Sequence, residues 1–165
     1  MFTLKPLSHE GVAAALEKAE RYRLLNEPWE AESICHDILA VEPENQRALV
    51  VLLLAITDQF GRGVPEKIGQ AHELLPRLRE EYDRVYYGGL IAERQAKAIL
   101  RRGVPGSASQ AYEWFRTAME HFERAEAIRP PGNDDALLRW NACARTIMQR
   151  RLGPHQEERT VAMLE

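Results

Sequence analysis

Ala48-Leu49-Val50-Val51-Leu52-Leu53-Leu54-Ala55-Ile56 runs for nine residues without one polar side chain. A helix that is apolar all round has to be covered on every side, so this one belongs at the centre of its surroundings, with helices packed before and after it. It is too short to cross a bilayer, which takes about 20 apolar residues. Upstream, Trp29 to Val41 reads as another helix, and Glu42-Pro43-Glu44-Asn45 as the turn between the two. Pro43 sets that turn, because the residue before a proline is pushed out of the helical region.

Working outward, the same period recurs along the chain. Ser8 is placed to cap a first helix that runs to about Leu25, with Val12, Leu16, Ala19 and Tyr22 spaced four, three and three residues apart on one face. Asn26-Glu27-Pro28 is a short link, with Asn26 expected to cap the next helix and Pro28 to fit its first turn. The apolar helix extends to Phe60, where Gly61-Arg62-Gly63-Val64-Pro65 stops it. A fourth helix is expected over about Glu66 to Tyr82, broken or kinked at Pro76. The fifth covers about Arg84 to Arg102, with Gly88 and Gly89 permitting close approach of a neighbour. The sixth runs from about Ala108 to Ile128, and Pro130-Pro131-Gly132-Asn133 ends it. The seventh covers about Asp134 to Leu152. No alternating run or Asn-Gly turn marks a strand. The expected fold is all-α with about seven helices, one domain over residues 1–152 and a tail over 153–165.

The 165 residues, 45% hydrophobic and 28% charged, suit a globular protein with a real core. Net charge of −3 speaks against nucleic-acid binding, which usually brings a basic excess. Arg101-Arg102 and Arg150-Arg151 sit near helix ends, where cations complement the helix dipole. Cys35 and Cys143 lie on helical stretches far apart and outside any CxxC, so both read as small buried residues in a reducing compartment. Met1 to Leu7 holds no continuous apolar stretch of the secretory kind, which makes the cytoplasm the expected location.

Arg62-Gly63-Val64-Pro65 returns 40 residues later as Arg102-Gly103-Val104-Pro105, and Gln70-Ala71-His72-Glu73 returns at the same offset as Gln110-Ala111-Tyr112-Glu113. A period of this length points to stacked helical hairpins. Ala31, Cys35, Ile38 and Pro43 follow the spacing A-x3-F-x2-A-x4-P, and Ala118, Phe122, Ala125 and Pro130 match it fully. On these residues, with Ala19 and Tyr22 upstream, the chain resembles a tetratricopeptide repeat (TPR) or TPR-like protein over about Val12 to Ile147. Asp83 stands near the proline expected in the middle hairpin, and the loops at 61–65 and 103–107 exceed the family's tight turn. The resemblance implies a right-handed stack of antiparallel hairpins with a concave groove that binds a peptide or a partner's helix, and no cofactor. TPR domains that hold C-terminal carboxylates share a Lys/Asn clamp, and the matching positions of the first helix here carry Leu16 and Glu20, which argues against that class of ligand.

Local chemistry is sparse. His9, His36, His72, His121 and His155 form no HxxxH or HExxH pair, so no metal site is expected, since zinc needs three or four converging ligands. Cys35 and His36 are adjacent, and their side chains diverge by about 100° on a helix. The carboxylates, such as Glu17, Glu20, Glu27, Glu30 and Glu32, lie along solvated helix faces. Gly61, Gly63, Gly103 and Gly106 lack the Lys-Ser/Thr of a phosphate loop. No catalytic residue is assigned. For the partner groove the residues expected are Tyr87, Arg94, Lys97, Asn141 and Arg145, since arginine grips carboxylates bidentately and tyrosine is a low-entropy contact residue. The expected function is a non-catalytic protein-interaction module whose partner is a protein or peptide, with no nucleic acid and no membrane. The alternative is a structural homo-oligomer, such as a homodimer, packing Tyr86, Tyr87 and the C-terminal helix against a copy. An enzyme using Cys or His chemistry is the less favoured third reading.

Overall fold

The apolar run becomes the third of seven α-helices in the computed structural model, which describes residues 1–155. These are α1 (Val12–Leu24), α2 (Pro28–Val41), α3 (Gln46–Thr57), α4 (Glu66–Leu74), α5 (Glu81–Arg102), α6 (Ser107–Ala127) and α7 (Asp135–Arg150), with short 3-10 turns at His9–Gly11 and Leu75–Arg77. No strand occurs among the described residues, so the all-α class holds. Of the expected tail, residues 156–165 lie outside the described residues. The chain forms two compact units, Met1–Arg79 and Glu80 onward.

In the first unit, α3 packs against α1, α2 and α4. Eight of its twelve residues are buried, and Leu49 and Leu53 are fully enclosed. Asn45 caps it by accepting a hydrogen bond from the Ala48 amide at 3.0 Å. Val12, Leu16 and Ala19 of α1 are buried as their spacing requires. Asn26 does not cap α2. It takes φ of 60° and closes α1 instead, with Glu27 N–H donating to the Tyr22 carbonyl (2.9 Å) and Asn26 N–H to that of Arg23 (3.0 Å). That is a Schellman closure, and asparagine tolerates the left-handed conformation it needs. Pro76 ends α4 at Leu74, after which the chain becomes extended at Leu78. Gln46 ties down the break, accepting from the Arg79 amide (2.9 Å) and donating to the Arg77 carbonyl (3.3 Å).

In the second unit α6 packs on α5 along its length and α7 packs on α6. Tyr82 belongs to α5 rather than to α4, because the Pro76 break returns the chain to helix at Glu81. Ala92, Ala96 and Ile99 of α5 meet Phe115, Ala118 and Phe122 of α6 in one core, and Ala136 and Cys143 bring α7 to it. Full burial of an aromatic such as Phe115 or Phe122 contributes about 1.5–3 kcal/mol. Gly89 lets the helices close up: a Cβ there would stand 2.8 Å from Phe122 Cε1 and 3.0 Å from His121 Cβ.

The two copies of the Arg-Gly-Val-Pro loop share local geometry. Gly63 and Gly103 take positive φ of 84° and 62°. The Val64 carbonyl accepts from Lys67 and that of Val104 from Ser107, and Ala71 and Ala111 are both fully buried.

Candidate functional site

The second unit holds all five residues expected at the partner groove, Tyr87, Arg94 and Lys97 on α5 and Asn141 and Arg145 on α7. They are spread over several surfaces. Tyr87 is half-buried and edge-on to Tyr86, with ring centroids 5.0 Å apart. Tyr86 turns into the unit, lying against Tyr82 and Phe122, each at 5.7 Å. Burial pushes the Tyr86 hydroxyl pKa upward. Arg94 is half-buried.

Asn141 and Lys97 line different cavities. Asn141 belongs to a hollow of about 270 Å³ between α6 and α7, with Glu123, Glu126, Leu137 and Trp140, where the Trp140 indole donates to Glu123 at 2.9 Å. Lys97 belongs to a cleft of about 370 Å³ between α5 and α7, with Leu100, Arg101, Thr146, Gln149 and Arg150. At about 100° per residue, Leu137, Trp140 and Asn141 point from one side of α7 and Thr146, Gln149 and Arg150 from the opposite side. Arg145 follows Asn141 on the outward side of α7, exposed with Leu138 and Met148, which are 59% and 67% exposed.

Behind the α5/α7 cleft sits a buried carboxylate. Glu93 of α5 is fully buried, and the Arg139 guanidinium of α7 donates to its Oε2 from Nε at 3.1 Å and again from a terminal nitrogen. Lys97 Nζ lies 3.5 Å from its Oε1, and the Cys143 thiol donates to the same oxygen at 3.6 Å. Burial opposes the charge on Arg139, but the hydrogen bond and the Glu93 charge outweigh it and raise its pKa. A buried carboxylate needs such partners, since a lone buried charge neutralises instead.

Glu93 and Arg139 were not singled out from the sequence. The available signal was an acid three residues after Leu90 and three before Ala96, on a face otherwise reserved for apolar residues.

The first unit holds a comparable node. Glu32 of α2 accepts from Lys67 of α4 at 2.6 and 2.7 Å and from Gln59 at 2.7 Å. Burial raises the Glu32 pKa, yet the Lys67 and Gln59 hydrogen bonds and the Lys67 charge bring it below its ordinary value. Glu32 is therefore a pinned carboxylate rather than part of a solvated face.

Each unit also encloses one fully buried cysteine. Burial pushes both thiols up to about 12, with Glu93 adding to the effect at Cys143. Both are protonated at neutral pH, the wrong state for a nucleophile. No group of three or more His, Cys, Asp or Glu placed to hold a metal occurs among the described residues, and no helix among them is long and apolar enough to cross a membrane.

No protein-family model matches the chain, and it has no match among curated proteins or solved structures.

Proposed function

We propose that the protein is a non-catalytic interaction module of TPR-like helical hairpins that holds a peptide or a partner's helix. The observation that carries this reading is the outward stripe of α7. Leu138, Asn141, Arg145 and Met148 follow one another at spacings of three and four, the pattern of a single helix face. Leu138 and Met148 are large apolar side chains left well exposed at either end of the stripe, with an amide and a guanidinium between them. Apolar anchors beside polar groups that fix orientation are the makings of a protein contact. The recurrence of one loop geometry at Gly63 and Gly103 supports the repeat reading, because repeated hairpins close their cores by stacking on neighbours.

The test is affinity capture with the wild type and a Leu138→Asp/Arg145→Ala variant. Both positions are exposed, so the variant should keep its helix content. A partner retained by the wild type and lost by the variant is the expected result. Equal recovery of every partner would remove the stripe from the function.

The exposed stripe also favours a second reading, self-association through α7. Tyr86 is unsuited to that contact, since its ring packs inside the unit. Light scattering on the eluting protein separates the two. A dimer that Leu138→Asp breaks would favour self-association.

A further inference from the structure

We infer that two copies of this chain pair through their first units, the segment ahead of α1 in each copy lying on the α1–α2 corner of the other.

Both halves of that contact stand in water in a single copy. Residues 1–7 run without helix or strand up to the Ser8 cap. Along this arm Met1, Phe2 and Leu4 are 126%, 101% and 85% exposed. At the α1–α2 corner Leu24, Leu25 and Trp29 are 87%, 62% and 48% exposed. Large apolar side chains gathered in water mark a contact surface. The corner is also held in shape. The Arg62 guanidinium stands 5.8 Å from the centre of the Trp29 ring and donates to Asn26 Oδ1 at 3.1 Å. A side chain already fixed loses little freedom on binding, and tryptophan and arginine are prominent among the residues that carry interface energy.

Charge and topology name the occupant. Lys5 follows the apolar residues of the arm, and Glu27 and Glu30 flank Trp29 at the corner. None of these three charges has an ion pair among the described residues. The arm meets α1 at its Val12 end, whereas the corner lies at its Leu24 end, about 18 Å along the axis. Within one copy the two therefore sit at opposite ends of the helix. A two-fold axis that sets two α1 helices side by side and antiparallel brings each arm to the other copy's corner, so every copy gives one arm and receives one. Met1, Phe2, Leu4, Leu24, Leu25 and Trp29, at about 100 Å² each, take the symmetric pair to on the order of 1,000 Å², the size at which specific interfaces begin.

The experiment is light scattering on the eluting full chain over a range of concentrations, and the wild type should run as a dimer. Phe2→Ser/Leu4→Ser in the arm and Leu24→Ser/Leu25→Ser at the corner should each raise the dimer Kd at least about a hundredfold, because every substitution acts twice in a symmetric pair. All four positions are exposed, so helix content should match the wild type. Should the corner variant misfold, the arm variant, which alters no helix, carries the test. Mixed in equal amounts, the two variants should recover a dimer that neither forms alone, since that pair keeps one intact arm on one intact corner. Carbodiimide coupling of amines to carboxylates should join Lys5 to Glu27 or Glu30 in a covalent dimer.

A monomer at every concentration, or a dimer indifferent to both variants, would overturn the assignment. So would a Lys5 link found only within monomers, which would give the corner to the chain's own arm. A dimer broken by Leu138→Asp but not by the arm and corner variants would also sink it, and would place self-association on α7.

Discussion

Gly89 and Glu93 lie one helical turn apart on α5 and constrain the second unit for opposite reasons. Gly89 matters for what it lacks. Alanine there would gain about 1 kcal/mol of helix propensity, but its Cβ would press on Phe122 at 2.8 Å in a packed core. Overpacking of this kind costs about 1–3 kcal/mol, so Gly89→Ala should lower the urea midpoint. A midpoint at or above the wild type would show that the Phe122 ring can give way. Glu93 matters for what it carries. Arg139→Ala strands a fully buried carboxylate and should cost toward the lower end of about 3–5 kcal/mol, because Lys97 remains 3.5 Å away. Glu93→Leu/Arg139→Met, which removes the charges together, should recover most of that loss in the same denaturation experiment. A double variant as unstable as the single one would mean that Arg139 acts through packing.

At the scale of elements, the Glu32–Lys67 contact binds α2 to α4 across 35 residues of sequence. The Glu32 pKa is lowered in the folded protein, so its contribution is present above the ordinary value of 4.5 and is lost as pH falls through the lower folded value. Stability of the wild type should therefore decline on acidification below about pH 4.5. Lys67→Met should flatten that decline. Melting curves taken across the acid range check this, and a slope unchanged in the variant would assign the acid sensitivity elsewhere.

The elements themselves were largely legible in the sequence. Pro43, Pro76 and Gly103 are local signals, each within two residues of a helix end, whereas α3 stops at Thr57, three residues short of the expected Phe60 and ahead of the Gly63 loop. Tyr82 went to the wrong helix because the length of the break after Pro76 depends on where Gln46 catches the chain, 33 residues from Arg79. Asn26 was assigned to the wrong helix end because asparagine serves both as an N-cap and in the left-handed conformation. The Glu93–Arg139 pair spans 46 residues. No periodicity announces such a pairing, since either charge alone reads as solvated surface. The distribution of Tyr87, Arg94, Lys97, Asn141 and Arg145 over several faces was hidden for a related reason, because helical register between α5 and α7 is set by packing.

At the scale of the whole molecule, Met1–Arg79 and the unit from Glu80 onward each enclose a single thiol, Cys35 and Cys143. An aromatic disulfide reagent should find neither in native buffer and both in denaturant, and rapid stoichiometric reaction in native buffer would contradict their full burial. With Cys143→Ala the colour change would time the opening of the amino-terminal half alone, and with Cys35→Ala that of the carboxy-terminal half. Local opening energies range from near zero to the global value within one protein. Nature has thus fitted each half with its own stopwatch, and no foreign label is needed to read them.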